Sequence, residues 1–255
     1  MNNRPIGVMD SGAGGLTVAT VLRRMYPKES IVYFGDSARN PYGERSREEI
    51  IRFAGEIKDF LIQKGVKGII IACNTITFNV PSSFYEGPVP VTGMSLDYSR
   101  FPKVRKAAVF ATPASIKTHA HKGGLLKGIP HAEITEVPCD GLAHAIETCA
   151  PQAQIEALIQ KLAGTYGALD AEAAVFGCTH YPLVRDLFEK VMPHTTFFDP
   201  AEPTVETAME KFSKADLADE RGEDHFYFSA DPDMAETLVE KAMGKKYAVE
   251  TVRLG

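Results

Sequence analysis

The chain has 255 residues, room for one large domain or two of ordinary size, and its 44% hydrophobic and 24% charged content is that of a globular protein with a sizeable core. A net charge of −5 with no Lys/Arg block excludes a nucleic-acid footprint. The opening Met1-Asn2-Asn3-Arg4-Pro5-Ile6 has no signal-peptide core and no run reaches membrane-span length, so a cytoplasmic protein with no nucleic-acid and no membrane partner is expected.

Pro5–Met9 is a short apolar strand, followed by the turn Asp10-Ser11-Gly12-Ala13-Gly14-Gly15 and a helix from Leu16 to Met25 that Pro27 stops. Ile31–Phe34 is a second strand, leading into Gly35-Asp36-Ser37. Ala38–Arg45 is a loop with a turn at Pro41-Tyr42-Gly43. Ser46 and Glu49 form a capping box. The helix behind it carries Ile50, Phe53, Ala54, Ile57, Phe60 and Leu61 on one face and ends at Gly65. The apolar run Gly68–Ala72 is a buried strand delivering Cys73-Asn74-Thr75 at its carboxyl end. The order β-α-β-α-β predicts a parallel sheet with helices on both faces.

A Pro/Gly-rich connector runs from Gly87 to Pro102, and then the pattern restarts. Lys106–Thr112, Ile134–Cys139 and Ala173–Cys178 match the three earlier strands. Asp10 aligns with Thr112, Asp36 with Cys139 and Cys73 with Cys178, at nearly constant separation. The expected fold is α/β, with two similar open parallel-sheet α/β domains facing each other across an interdomain active site. One holds residues 1–96 plus 206–255 and carries Cys73; the other holds 97–205 and carries Cys178.

Pro182 suits a first helical turn, and Leu183, Val184, Leu187, Phe188 and Val191 form a helical stripe. Asp199–Pro203 reads as a second crossing between the halves, and a helix is expected over 204–212. Lys214–Asp224 reads as solvated loop apart from Leu217. Strand Phe226–Ser229, helix Asp233–Met243 and strand Tyr247–Val252 complete the chain.

The glycine turn after the first strand resembles a phosphate cradle, and Asp36 stands where a ribose-binding acid would. That admits an NAD-binding oxidoreductase using the Gly12 turn and Asp36. The third small position is Thr17, so the dinucleotide fingerprint is incomplete, and no G-K-S/T follows. What remains is a set of backbone amides at a helix start that attract an anion, carboxylate or phosphate. The four cysteines contain no C-x-x-C, which disfavours a zinc site. Cys139 and Cys149 read as buried, inert small hydrophobes. Cys73 and Cys178 differ, since each ends a similar strand beside hydroxyl and amide donors. Two such thiols, one on each face of a stereocentre, can remove an α-proton and return one from the opposite side. Asp10 near Cys73 and His180 near Cys178 can take or relay a proton. His119 and His121 diverge on a helix, and His131, His144, His194 and His225 have no companions, so no metal site is expected.

The blocks Asp10-Ser11-Gly12-Ala13-Gly14-Gly15, Gly35-Asp36-Ser37-Ala38-Arg39-Asn40-Pro41-Tyr42-Gly43, Ala72-Cys73-Asn74-Thr75 and Gly177-Cys178-Thr179-His180-Tyr181-Pro182-Leu183 resemble the signature blocks of the glutamate racemase family, in order and over most of the chain. The resemblance implies cofactor-independent interconversion of L- and D-glutamate, with neither pyridoxal phosphate nor metal. It implies Cys73 as base for the D-isomer and Cys178 as base for the L-isomer. Asp10, His180 and Glu147 become helpers, and Asp10, Ser11, Tyr42, Gly43, Asn74, Thr75, Thr179 and His180 substrate contacts. It further implies a role in supplying D-glutamate for peptidoglycan, and a homodimer. The chain departs from the family pattern at Ile76-Thr77-Phe78, at Pro81, at Gly93–Asp97, at Thr112–Ser115 and at Cys139-Asp140-Gly141-Leu142. These keep open the same chemistry on aspartate or another small acidic amino acid. A binding protein that has lost turnover is a further alternative.

Overall fold

The computed structural model describes residues 1–212 and 216–255. Its elements run β1 (Ile6–Asp10), α1 (Leu16–Met25), β2 (Ile31–Gly35), α2 (Arg47–Gln63), β3 (Gly68–Ile71), α3 (Asn74–Asn79) and β4 (Val91–Thr92). Next come β5 (Lys106–Ala111), α4 (Pro113–Ile116), α5 (Ala120–Gly128), β6 (Glu133–Pro138), α6 (Leu142–Glu147), α7 (Gln152–Thr165), β7 (Ala173–Gly177), α8 (Arg185–Val191) and β8 (Thr196–Phe198). The chain ends with α9 (Ala201–Glu210), β9 (His225–Phe228), α10 (Pro232–Met243) and β10 (Val249–Thr251).

The strands form two sheets, ordered β10-β9-β2-β1-β3-β4 and β6-β5-β7-β8, with parallel pairing throughout. The run β2-β1-β3-β4 has the same order as β6-β5-β7-β8, so the repeat expected from the strand ends is a repeat of topology. β1, β3 and β7 are buried along their whole length, as strands covered on both faces must be. One face of the first sheet packs on α1, α9 and α10 through Leu16, Leu22, Val205 and Leu238. The other packs on α2 through Ile50, Phe53, Ile57 and Leu61, positioned by the Ser46/Glu49 capping box. In the second sheet Ile155, Ile159 and Phe188 cover one face, and Tyr98, Phe101 and Leu125 the other.

Several details differ from the sequence reading. The connector contains β4, whose Val91 pairs with Ile69 and extends the first sheet by a strand. The crossing at Asp199–Pro203 is shorter, because Ala201 already begins α9; Pro203 is accepted in a first turn whose amides lack intrahelical partners. The expected division at residue 206 therefore falls inside α9, whose Ala201 and Val205 belong to the first core. The helix after Cys178 is broken in two, a 3-10 turn over Tyr181–Val184 and then α8, because Val184 leaves helical geometry. The run Lys214–Asp224 lies partly outside the described residues. Its end is not solvated: the Asp224 carboxylate is buried, pairs with Arg23 and Arg221, and accepts the Ile31 amide at 3.0 Å.

At the amino ends of the first sheet's strands, Lys67 and Glu29 form an ion pair at 2.6 Å with side chains 1% and 3% exposed. Lys67 also donates to the carbonyls of Asn2 and Asp216. Removing one member of a buried pair strands the other charge, which costs about 3–5 kcal/mol. Lys67→Met is expected to lower urea-unfolding stability by about that amount. Steady-state activity of the remaining folded protein should be unchanged, because the pair sits at the opposite end of the strands from the cavity described next.

Candidate active site

The carboxyl ends of β1, β3, β5 and β7 surround a small enclosed cavity of about 20 Å³. Ser11, Cys73, Asn74 and Thr75 line it from the first sheet, and Thr112, Cys178, Thr179 and His180 from the second. Tyr42 and Gly43, in a 3-10 turn over Tyr42–Glu44, close its rim. Cys73 and Cys178 thus border one space, as the matching strand ends suggested. That space admits about one water molecule, so a larger ligand enters only after the walls part. Outside Gly43 lies an open cleft of about 920 Å³, edged by Arg45, Arg47 and Lys117.

On the Cys73 side, Asp10 is fully buried at the end of β1. Its Oδ2 accepts the amides of Gly15 at 2.9 Å and Gly12 at 3.3 Å, while Oδ1 has no partner. Burial raises its pKa, against the opposing pull of His180 and the Gly15 amide. The Cys73 sulfur lies 3.6 Å from Ser11 Oγ. Burial and then the Asp10 charge push this thiol well above its ordinary value, only partly offset by the Ile76 amide and Ser11. Cys73 is therefore a thiol when the cavity is closed. Neither amide atom of Asn74 has a partner, although both are buried at the cavity wall. Thr75 Oγ1 bonds Thr112 Oγ1 at 2.9 Å, joining the two sheets.

On the Cys178 side, the sulfur lies 3.6 Å from His180 Nδ1, and His180 Nε2 pairs with Glu147. Burial by itself would discharge this imidazole. Glu147 and Cys178 outweigh that, and its pKa is raised well above the ordinary value. His180 is an imidazolium at neutral pH. Glu147, at the end of α6, accepts the Ala13 amide with both carboxylate oxygens at 3.0 Å. A Cβ on Gly12 would lie 2.4 Å from Glu147 Oε1, and one on Gly14 would lie 2.4 Å from His180 Nδ1. Those two positions admit only glycine if Glu147 and His180 are to approach.

The glycine turn is thus an anion cradle whose anions are the protein's own carboxylates, Glu147 and Asp10. Asp36, the candidate ribose acid, is fully buried; it accepts Ser229 Oγ at 2.7 Å, Arg39 Nε at 2.6 Å and the Tyr42 hydroxyl. The groups that a dinucleotide would use are therefore engaged internally. Tyr42 lines the cavity, but its hydroxyl is committed to Asp36.

Cys139 is buried as expected. Cys149 is exposed, contrary to expectation, because it follows α6 in a left-handed conformation and leaves the core beside Met234. His119 is exposed and contacts Glu136; His121 is buried, bonds Tyr98, and has its pKa lowered to about 4 by burial. Among the described residues no group of three His, Cys, Asp or Glu could hold a metal, and no helix is long and apolar enough to cross a membrane. Sequence reasoning missed Asn40 and Ala143 on the cavity wall and Thr17, whose hydroxyl reaches the Thr179 carbonyl at 3.2 Å. Asn40 lies inside the Gly35–Gly43 block without a site role of its own, and neither Ala143 nor Thr17 stands in a pattern that marks it.

A family model described as Asp/Glu/Hydantoin racemase matches residues 6–208. A glutamate racemase of Lactobacillus helveticus is 35% identical over 254 residues, covering 96% of this chain and 95% of that protein. The crystal structure of glutamate racemase isoform RacE1 from Bacillus anthracis superposes with a TM-score of 0.88 at 30% identity, covering 99% of this chain and 98% of that one. The glutamate racemase from Francisella tularensis, solved in complex with D-glutamate, gives 0.85 at 31% identity over the same shares. The paired sheets, the shared cavity and this agreement along nearly the whole chain make the protein a member of the Asp/Glu/Hydantoin racemase family.

Proposed function

We propose that the protein racemises glutamate at Cα without a cofactor, by two-base proton transfer between Cys73 and Cys178. The observation that carries this is the single cavity bordered by both thiols, each delivered by the corresponding strand of a similar sheet. The glutamate racemases of similar sequence and shape support the choice of substrate. With L-glutamate, Cys178 as thiolate takes the α-proton while the Cys73 thiol delivers one to the opposite face. With D-glutamate the two exchange roles.

The two sides are built differently. Asp10, buried with its pKa raised and its Oδ1 unpartnered, is suited to exchange a proton with Cys73. The His180 imidazolium, held charged by Glu147, does the same for Cys178. The carbanion formed at Cα is poorly stable and needs donors on the substrate carboxylate. Asn74, with its unpartnered amide, Ser11, Thr75 and Thr179 supply them. Closure around the substrate removes water and strengthens each of these contacts.

The division into units that we propose is residues 1–96 with the C-terminal segment, and the residues between, the far boundary at Ala201. A homodimer, a cytoplasmic location and a place in supplying D-glutamate for peptidoglycan belong to this reading.

In D₂O without added cofactor, L-glutamate should lose optical rotation and gain deuterium at Cα. Cys73→Ser and Cys178→Ser should each lower racemisation by at least about 10²-fold, with single-sided α-proton exchange surviving. Parent-rate racemisation by either variant would refute the two-thiol assignment, and faster turnover of aspartate than of glutamate would refute the substrate. The raised His180 pKa also predicts a stability effect. Its contribution is fully present below the unfolded histidine value of about 6.5 and is lost as pH rises through the higher folded value. The urea midpoint of the native protein should therefore exceed that of His180→Asn most near pH 6, with the gap closing as pH rises.

A further inference from the structure

Tyr181 follows Cys178 by three residues and opens the 3-10 turn, its amide donating to the Cys178 carbonyl at 3.2 Å. That backbone bond closes a turn and holds Tyr181 close to Cys178 along the chain. Tyr181 is fully buried on the core side, packs on Phe188 at 5.8 Å, and shares a cluster with Cys139 and Cys178. Its hydroxyl is buried and makes no hydrogen bond. The polar side chains that act on it electrostatically are Cys139 and then Cys178, both in the same buried cluster. Cys139 already donates its proton to the Val137 carbonyl at 3.3 Å and offers the hydroxyl only weak sulfur lone pairs.

We propose that Tyr181 is a positioning residue for Cys178, its hydroxyl donating a hydrogen bond to the sulfur from the core side when Cys178 is a thiolate. The proposal rests on the two-thiol reading of the site and deepens it. An uncharged thiol is a weak acceptor and a thiolate a strong one, so the bond forms as Cys178 becomes the base. Burial and the neighbouring sulfurs raise the Tyr181 pKa well above its ordinary value, so the phenol keeps its proton and donates without relaying. Cys178 is then held between His180 on the cavity side and Tyr181 on the core side. Cys73 has a different pair, Ser11 Oγ and the Ile76 amide.

The test is timed alkylation by iodoacetamide across pH, with the Cys178 peptide followed by mass spectrometry, alongside racemisation of glutamate. Tyr181→Phe keeps the ring and removes the donor. It should raise the pH midpoint of Cys178 alkylation by about one unit, about tenfold less thiolate below the midpoint, and lower kcat by a similar factor. Cys139→Ala removes the competing sulfur and should move the midpoint the other way, an effect that disappears in the double variant. An unchanged midpoint in Tyr181→Phe, or equal shifts of the same sign in both single variants, overturns the proposal. A shifted midpoint in a protein that does not racemise glutamate supports the hydrogen bond and overturns the proposed reaction.

Discussion

The contact on which the site depends is the Glu147 carboxylate. It starts from α6, which packs on the second sheet, accepts the Ala13 amide beside the first, and pairs with His180. One group thus joins the two sheets and sets the charge of the imidazole beside Cys178. Such a carboxylate is costly to bury, and its amide and imidazolium partners offset that cost. The glycines at 12 and 14 are the steric condition for the contact, since any side chain there would fill the space that Glu147 and His180 occupy.

The two thiols sit in corresponding places but not in equivalent surroundings. Cys73 faces a buried carboxyl, and burial with that negative neighbour keeps it protonated. Cys178 faces a histidine held positive. In the proposed reaction one thiol starts as the acid and the other as the base, and desolvation of Cys73 would supply the acid side. The enclosed volume of about 20 Å³ belongs to the same logic, because charges separated from water respond strongly to their neighbours.

Much of the fold was legible because α/β architecture is written in short-range signals. Buried parallel strands appear as apolar runs, and the Ser46/Glu49 box and the Gly65 stop bracket α2 as expected. The misread elements have non-local causes. β4 is two residues in a proline-rich connector, and pairing with β3, not its own composition, makes it a strand. Asp224 sits in a charged run and is buried only because Arg23, two hundred residues away in sequence, requires a partner. Neither fact exists within a window of ten residues.

The site was legible by a different route. Cys73 and Cys178 stood out because the second strand end repeats the first, and topology then brings both to one cavity. The glycine turn was read correctly as a cradle for negative charge but left the anion open between phosphate and carboxylate. The occupant, Glu147, lies 134 residues away from Ala13 in sequence, and no local pattern links them. Backbone amides specify the sign of what they bind, whereas the identity of the bound group is settled by which side chain the rest of the fold delivers. A glycine-rich turn after a first strand is therefore evidence for a nucleotide only when those amides are left free, and here Glu147 and Asp10 have taken them.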